Sequence, residues 1–187
     1  ELFTLILNVP IGSYHNALLP LAAKQFKLLG TSRYEARELA QEMYKIGMSY
    51  SVSVGQKETS IVISGLTSQL DTSFKLLNHV LMDAKANQEV ANGLIQKTLQ
   101  LRENALKNPR GLLWNGLQNY AVYGKRSPLM DQLSNEILKT MESEELQNHF
   151  HHIFDFRPQV LFYGQSNMND IQSIVRSSSL ISGVNLK

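Results

Sequence analysis

The apolar residues of this chain change their spacing abruptly at Gly47. Between residues 18 and 46 they recur every three or four positions, which predicts two helices separated by a break at Gly30. After Gly47 they alternate with serines in SYSVSV, and a second apolar run, SIVISGL, follows the turn Gly55–Glu58. Such alternation is typical of half-buried strands, so this stretch predicts an antiparallel hairpin directly after a pair of helices.

The rest of the chain continues this mixture of strands and helices. Residues 2–9 and 160–163 have the composition of strands, and helical spacing recurs in five segments between residues 68 and 153. We predict helix caps at Ser32 (in a capping box with Glu35), Ser68 and Ser143, because a serine oxygen accepts a hydrogen bond from a free backbone N–H. The pattern predicts an α+β fold with an antiparallel or mixed sheet of about four strands and helices packed mainly on one face.

Composition limits the classes of function. The chain has 187 residues, of which 43% are hydrophobic, and we expect a single domain over residues 1–187 with a terminal helix and tail at 166–187. A net charge of +2 and the lack of a basic cluster argue against nucleic acid as a partner. The absence of cysteine excludes a disulfide, a thiolate zinc site and a cysteine nucleophile.

The sequence gives limited information about the cellular compartment of the protein. No apolar run approaches the roughly 18 residues that a membrane-spanning helix needs, so a bacterial periplasm or cytoplasm is favoured over a membrane, and the compartment itself stays unknown. The first strand starts at the first residues with no initiator methionine, and we therefore expect a fragment of a longer protein.

Few side chains suggest chemistry of their own. His149 and His152 would share one helix face and form a weak alternative metal site, although histidines near a helix end are more often solvated. Trp114, Tyr120 and Tyr123 could stack on a ligand, but at helical spacing we expect them in the core. No motif for a nucleophile elbow, a phosphate loop or a His-x-x-Glu-His metal site occurs.

The order of the segments, taken together, is more specific than any one of them. It runs through a strand, a helix ending at Gly30-Thr31, a second helix ending at Gly47, the hairpin SYSVSVGQKETSIVISGL, a helix pair reaching Asn108-Pro109, then YAVYG, Pro128, the SEELQNHF helix and LFYG. Over residues 2–165 this order resembles one repeat of the pitrilysin or insulinase family of zinc metallopeptidases, the inverted zincins of peptidase family M16. The resemblance implies a LuxS/insulinase-like metallopeptidase-repeat fold.

The resemblance also implies that the catalytic motif is missing. Catalytic repeats of that family carry His-x-x-Glu-His just before the Gly-Thr step, and the corresponding positions here are Leu21, Lys24 and Gln25. The family's third zinc ligand would fall near Leu101, with Glu103 two residues away. No catalytic residue and no cofactor are therefore expected in this chain, and zinc is expected in a partner repeat.

The function implied by the resemblance is that of a non-catalytic repeat. It would pair with a zinc-bearing repeat, in the same chain or in a partner subunit, and form part of a chamber that encloses a peptide substrate. The parent would then be a zinc metalloendopeptidase, although this fragment alone would not be an enzyme. Tyr50 is a candidate substrate-binding residue by its place in the hairpin, whereas Met43 stands where an accompanying arginine would be needed. The alternative is a structural or assembly subunit of the same fold without a proteolytic role.

Overall fold

A computed structural model describes residues 1–126 and 132–176 and confirms the α+β prediction. Its four strands form one antiparallel sheet in the order β2-β3-β1-β4. The strands are β1 (Leu2–Val9), β2 (Ser49–Val54), β3 (Thr59–Leu66) and β4 (Gln159–Tyr163). The predicted hairpin is β2 and β3, with Val52 opposite Ile61, and β1 inserts between β3 and β4.

Alternation along the strands decides which face of the sheet is covered. Every second residue of β1, from Phe3 to Val9, is buried, and Ile61 and Ile63 of β3 lie on the same covered side. The residues between them are half-buried, because successive side chains of a strand point to opposite faces. The helices therefore pack mainly on one face of the sheet.

The helices follow the predicted segments closely. They are α1 (Leu19–Phe26), α2 (Ala36–Lys45), α3 (Leu70–Asp83), α4 (Gln88–Leu106), α5 (Pro109–Tyr123), α6 (Asn135–Lys139), α7 (Ser143–His151) and α8 (Met168–Arg176). Packing between α1 and α7 is centred on Phe26 and Phe150, whose stacked rings are 4.2 Å apart. None of the described helices is both long and apolar enough to cross a membrane.

The three predicted serine caps are wrong. Helix α2 is capped by Glu35, whose side chain and that of Glu38 each accept the other residue's backbone N–H. Ser32 instead donates its backbone N–H, at 3.0 Å, and its hydroxyl to Asp83. A 3₁₀ turn precedes α3, so Ser68 caps nothing, and Ser143 is the first residue of α7. Long-range partners outcompeted the local caps for Ser32 and Ser143.

The predicted burial of α5 is also wrong. No residue of this helix is buried, and Trp114, Tyr120 and Tyr123 are all exposed. Helix α5 packs mainly along the neighbouring α4, and this contact is too small to cover its apolar side chains. Pro128 and residues 177–187 of the predicted tail lie outside the described residues.

Candidate functional site

The positions that we predict to correspond to the catalytic motif lie on α1. This helix starts with a proline in its first turn, and its packed face carries Leu21 and Gln25 one turn apart. Both side chains are buried, whereas Lys24 is exposed on the opposite side. The structure thus places the three residues on one helix, but it directs them into two different environments.

Gln25 is only 1% exposed and is held by a hydrogen bond. Its Nε2 donates to the backbone carbonyl oxygen of Ser143, at 2.9 Å, while its Oε1 has no hydrogen-bond partner within the described residues. The neighbouring residue in α1 is Phe26, which stacks on Phe150 of α7. The C-terminal end of α1 is therefore packed against α7 and held there by a hydrogen bond.

Ser143 makes this contact part of a larger junction. Its hydroxyl oxygen accepts the backbone N–H of Asn87 at 2.8 Å, and its own N–H donates to the side chain of Gln88 at 2.8 Å. Gln147, one turn further along α7, donates to the carbonyl oxygen of Ala84. The start of α7 therefore links α1 to the connection between α3 and α4. These hydrogen bonds stabilise the fold.

The third predicted ligand position lies on a different kind of surface. Helix α4 buries Ala91 and Ile95, whereas Leu101 is exposed. Glu103 is also exposed and forms an ion pair with Lys107, with 2.6 Å between the carboxylate oxygen and Nζ. Glu103 lines a shallow cleft of about 500 Å³ between α4 and α6. Its carboxylate is thus already paired with the ammonium of Lys107, the residue that directly follows α4.

Tyr50 lies half-buried in β2, at one edge of the sheet, opposite Ile63. Burial raises the pKa of Tyr50 to about 12, so the phenol is neutral at physiological pH and can donate a hydrogen bond. Met43 is buried in α2. A role of Tyr50 in substrate binding stays a prediction.

The three neighbouring histidines have separate surroundings. His149 Nδ1 is 2.9 Å from the Asn16 side-chain nitrogen, and His152 Nδ1 is 2.9 Å from a carboxylate oxygen of Asp155. Burial lowers the pKa of His151. No group of three or more histidine, aspartate or glutamate side chains that could hold a metal occurs in residues 1–126 and 132–176. Metal binding by His149 and His152 stays an untested prediction.

Sequence reasoning missed the polar links that hold this region together. Gln25 and Ser143 are 118 positions apart, Asn16 and His149 are 133 apart, and Ser32 and Asp83 are 51 apart. No local pattern in the sequence indicates such pairs. The one sequence signal that could have drawn attention to Gln25 is a glutamine within an otherwise apolar helix stripe.

Comparison with known proteins gives structural matches only. No family model and no curated protein matches this sequence. Among solved structures, the periplasmic protease PqqL from Escherichia coli matches with a TM-score of 0.78 and 14% identity over 94% of this chain. The ferredoxin protease FusC, in complex with Arabidopsis ferredoxin, matches with a TM-score of 0.81 and 12% identity over 96%. A peptidase M16 inactive domain from Pseudomonas fluorescens matches with a TM-score of 0.74 and 16% identity over 94%.

These matches cover only part of the other chains. The present chain spans 20% of PqqL, 20% of FusC and 44% of the Pseudomonas inactive domain. A likeness at such low identity defines the fold and leaves the activity open. This chain has the peptidase M16 fold, which it shares with two proteases and with an inactive domain.

Proposed function

We propose that this chain is a non-catalytic repeat of a peptidase M16-type zinc metallopeptidase, and that it pairs with a zinc-bearing repeat to enclose a peptide. The observation that carries the proposal is the environment of Leu21, Lys24 and Gln25 in a fold shared with an inactive M16 domain. The positions that would hold and use zinc are occupied by residues that can do neither.

The donor chemistry at these positions does not suit zinc. Protein zinc sites use imidazole nitrogen, thiolate sulfur or carboxylate oxygen, commonly with three protein ligands at a catalytic metal. Leu21 has no lone pair, and the ammonium of Lys24 repels a cation and cannot act as a general base. The amide of Gln25 is buried and bonded to the Ser143 carbonyl. Zinc and the general base must therefore come from another repeat.

In this proposal the chain acts by shape and by contact with the substrate. FusC is found in complex with a ferredoxin, which supports a peptide or protein as the class of substrate. The chain supplies one wall of the chamber, and Tyr50 is the residue that we expect to donate a hydrogen bond to the bound peptide. Hydrolysis itself would take place in the partner repeat, which would hold the zinc.

A structural or assembly subunit is the second candidate, because loss of the ligands fits that role equally well. The two differ in whether a zinc-bearing repeat depends on this chain for activity. We therefore propose to measure cleavage of an unstructured peptide by the chain alone, by the zinc-bearing repeat alone and by the two together, each with and without a chelator. Under the first proposal, only the combination cleaves, and the chelator abolishes that cleavage.

A calorimetric titration of the chelator-stripped chain with zinc gives an independent readout. We expect no binding tighter than about 10 µM, which is several kcal/mol short of a structural zinc site. Chelator-sensitive cleavage by the chain alone would refute the proposal. A stable assembly in which the zinc-bearing repeat is equally active without this chain would favour the structural subunit.

A further inference from the structure

Helix α5 carries a large apolar surface that the rest of the described chain leaves uncovered. We define the α5 surface as Leu112, Leu113, Trp114, Leu117, Tyr120 and Tyr123. Trp114 is 66% exposed, Tyr120 63% and Tyr123 47%, and the three leucines are exposed to a similar extent. Exposure of this kind along a whole helix differs from the scattered single apolar residues of an ordinary surface.

The size of the α5 surface is that of a binding site. A fully exposed aromatic side chain presents about 150–250 Å², so the three aromatic residues alone expose roughly 300–400 Å². The largest apolar patch of a typical monomer is about 300–600 Å². When the three leucines are added, the exposed apolar area of the α5 surface lies in the upper part of that range or above it. It would supply a large share of the roughly 800 Å² that each partner buries in a standard interface.

The distribution of residues around α5 favours a protein as the occupant. At 100° per residue the α5 surface covers more than half of the helix circumference, and the remaining side carries the amides Asn115, Gln118 and Asn119. A helix that lies on a membrane has a strongly charged face opposite a narrower apolar face. A helix that is apolar over most of its circumference is typically packed against protein on more than one side. Helix α4 provides one such side, and the described residues leave the other side uncovered.

Charge indicates which protein surface fits. Between Asn104 and Arg126 the sequence contains four basic residues, Lys107, Arg110, Lys125 and Arg126, and no acidic residue. Lys107 pairs with Glu103, and no ion pair within the described residues involves the other three. A symmetric contact between two copies would bring these cations together, which is unfavourable. The complementary surface is one with acidic residues at its border.

We propose that the α5 surface is the docking site for the zinc-bearing repeat, which meets it with an apolar patch bordered by aspartate or glutamate. This inference rests on the proposed function, since it names the surface through which the two repeats pair. Aromatic residues, tryptophan and tyrosine above all, carry much of the energy of such interfaces. Trp114 and Tyr120 are therefore the expected anchors.

The first test measures affinity between this chain and the zinc-bearing repeat. Trp114→Ala and Tyr120→Ala should each weaken binding at least tenfold, because both remove an anchor without disturbing a buried contact of the chain. Tyr44→Ala is the matched control, since Tyr44 is 86% exposed on α2, and it should leave the affinity unchanged. Lys125→Glu with Arg126→Glu should weaken binding more at low salt than at high salt. Equal affinities for the Trp114, Tyr120 and Tyr44 variants would overturn the inference.

The second test locates the contact in the complete protein. A photo-crosslinking amino acid is placed at position 114 or, as the control, at position 44, and the crosslinked peptides are identified by mass spectrometry. We expect position 114 alone to crosslink to the polypeptide that carries His-x-x-Glu-His. Crosslinks from position 44 but not 114 would show that the repeats pair through another surface, so that only the inference fails. No crosslink and no measurable affinity would refute the pairing itself, and crosslinks from 114 to a second copy or to lipid would also overturn the inference.

Discussion

Replacement of Gln25 by glutamate tests most directly whether the position that we predict to correspond to the family's second zinc-binding histidine is a closed, packed site. The change exchanges one amide group for a carboxyl group of nearly the same shape. In the native chain the amide nitrogen donates to the Ser143 carbonyl oxygen at 2.9 Å, and the side chain is 1% exposed. An ionised carboxylate has no proton to donate there, but a protonated one has. The folded Gln25→Glu variant must therefore keep the carboxyl group protonated.

The cost follows from the difference in protonation between the folded and unfolded states. An unfolded glutamate has a pKa of about 4.3, and holding it protonated costs about 1.36 kcal/mol for each pH unit above that value. The free energy of unfolding should thus fall by roughly 4 kcal/mol at pH 7.5 and by under about 1 kcal/mol at pH 4.5. The pKa of the new carboxyl group is higher in the folded state than in the unfolded state, so the variant loses more stability as pH rises.

The assay is urea unfolding followed by circular dichroism at both pH values. Gln41→Glu is the matched control, because it makes the same chemical change at an exposed position of α2. It should alter the free energy of unfolding by less than about 0.5 kcal/mol at either pH. If Gln25→Glu behaves like Gln41→Glu, then water or a cation reaches the site. The position would then not be the closed, packed site that the burial of Gln25 and its hydrogen bond to Ser143 indicate.

Three further predictions concern the frame that holds this site. Phe150→Ala should lower the free energy of unfolding by about 3–5 kcal/mol in a urea titration, because it removes the stacked ring between α1 and α7. Gly12→Ala should lower the free energy of unfolding by about 1–3 kcal/mol, because a Cβ there would lie 2.6 Å from backbone atoms of the hairpin turn. Gly116→Ala should instead raise it by about 0.5–1 kcal/mol, because the space around Gly116 is open and alanine favours a helix. Hydrogen bonds from the Ser32 hydroxyl and backbone N–H hold the pKa of Asp83 below its usual value. The ionised Asp83 should therefore stabilise the fold at neutral pH, and this stabilisation should be lost progressively as pH falls below about 5. Asp83→Asn should reduce that acid sensitivity.

Each of these predictions can be refuted by a specific result. Phe156 is exposed, so Phe156→Ala serves as the control for Phe150, and similar losses in the two variants would count against the packing of α1 on α7. A Gly12→Ala variant as stable as Gly116→Ala would show that the turn moves aside freely. An unchanged acid transition in Asp83→Asn would mean that other carboxyl groups control unfolding at low pH.

Much of the fold could be predicted from the sequence, because its determinants are local. The change of apolar spacing at Gly47 separates α2 from the hairpin, and Asn108-Pro109 begins α5. Backbone sterics and side-chain periodicity operate over a few residues, so they are readable in order along the chain. The order of these elements was also sufficient to suggest the peptidase M16 fold.

The candidate site was predictable only in what it lacks. Leu21, Lys24 and Gln25 cannot provide zinc chemistry whatever their surroundings, since residue type alone excludes it. Their environments were not predictable. That Gln25 is buried and bonded to Ser143, and not hydrated, depends on α7, which lies far along the chain.

By itself the sequence determined the elements, their order and the absence of the catalytic motif, because these depend on neighbouring residues and on residue type. The tertiary structure alone decided the partners of Ser32, Gln25 and Ser143. It also decided that residues 1–126 and 132–176 leave the α5 surface uncovered. A polar side chain takes whichever partner the fold brings within hydrogen-bonding distance, and an apolar helix face is buried only if the fold brings enough surface against it. Both outcomes depend on contacts between distant segments, which no local pattern encodes.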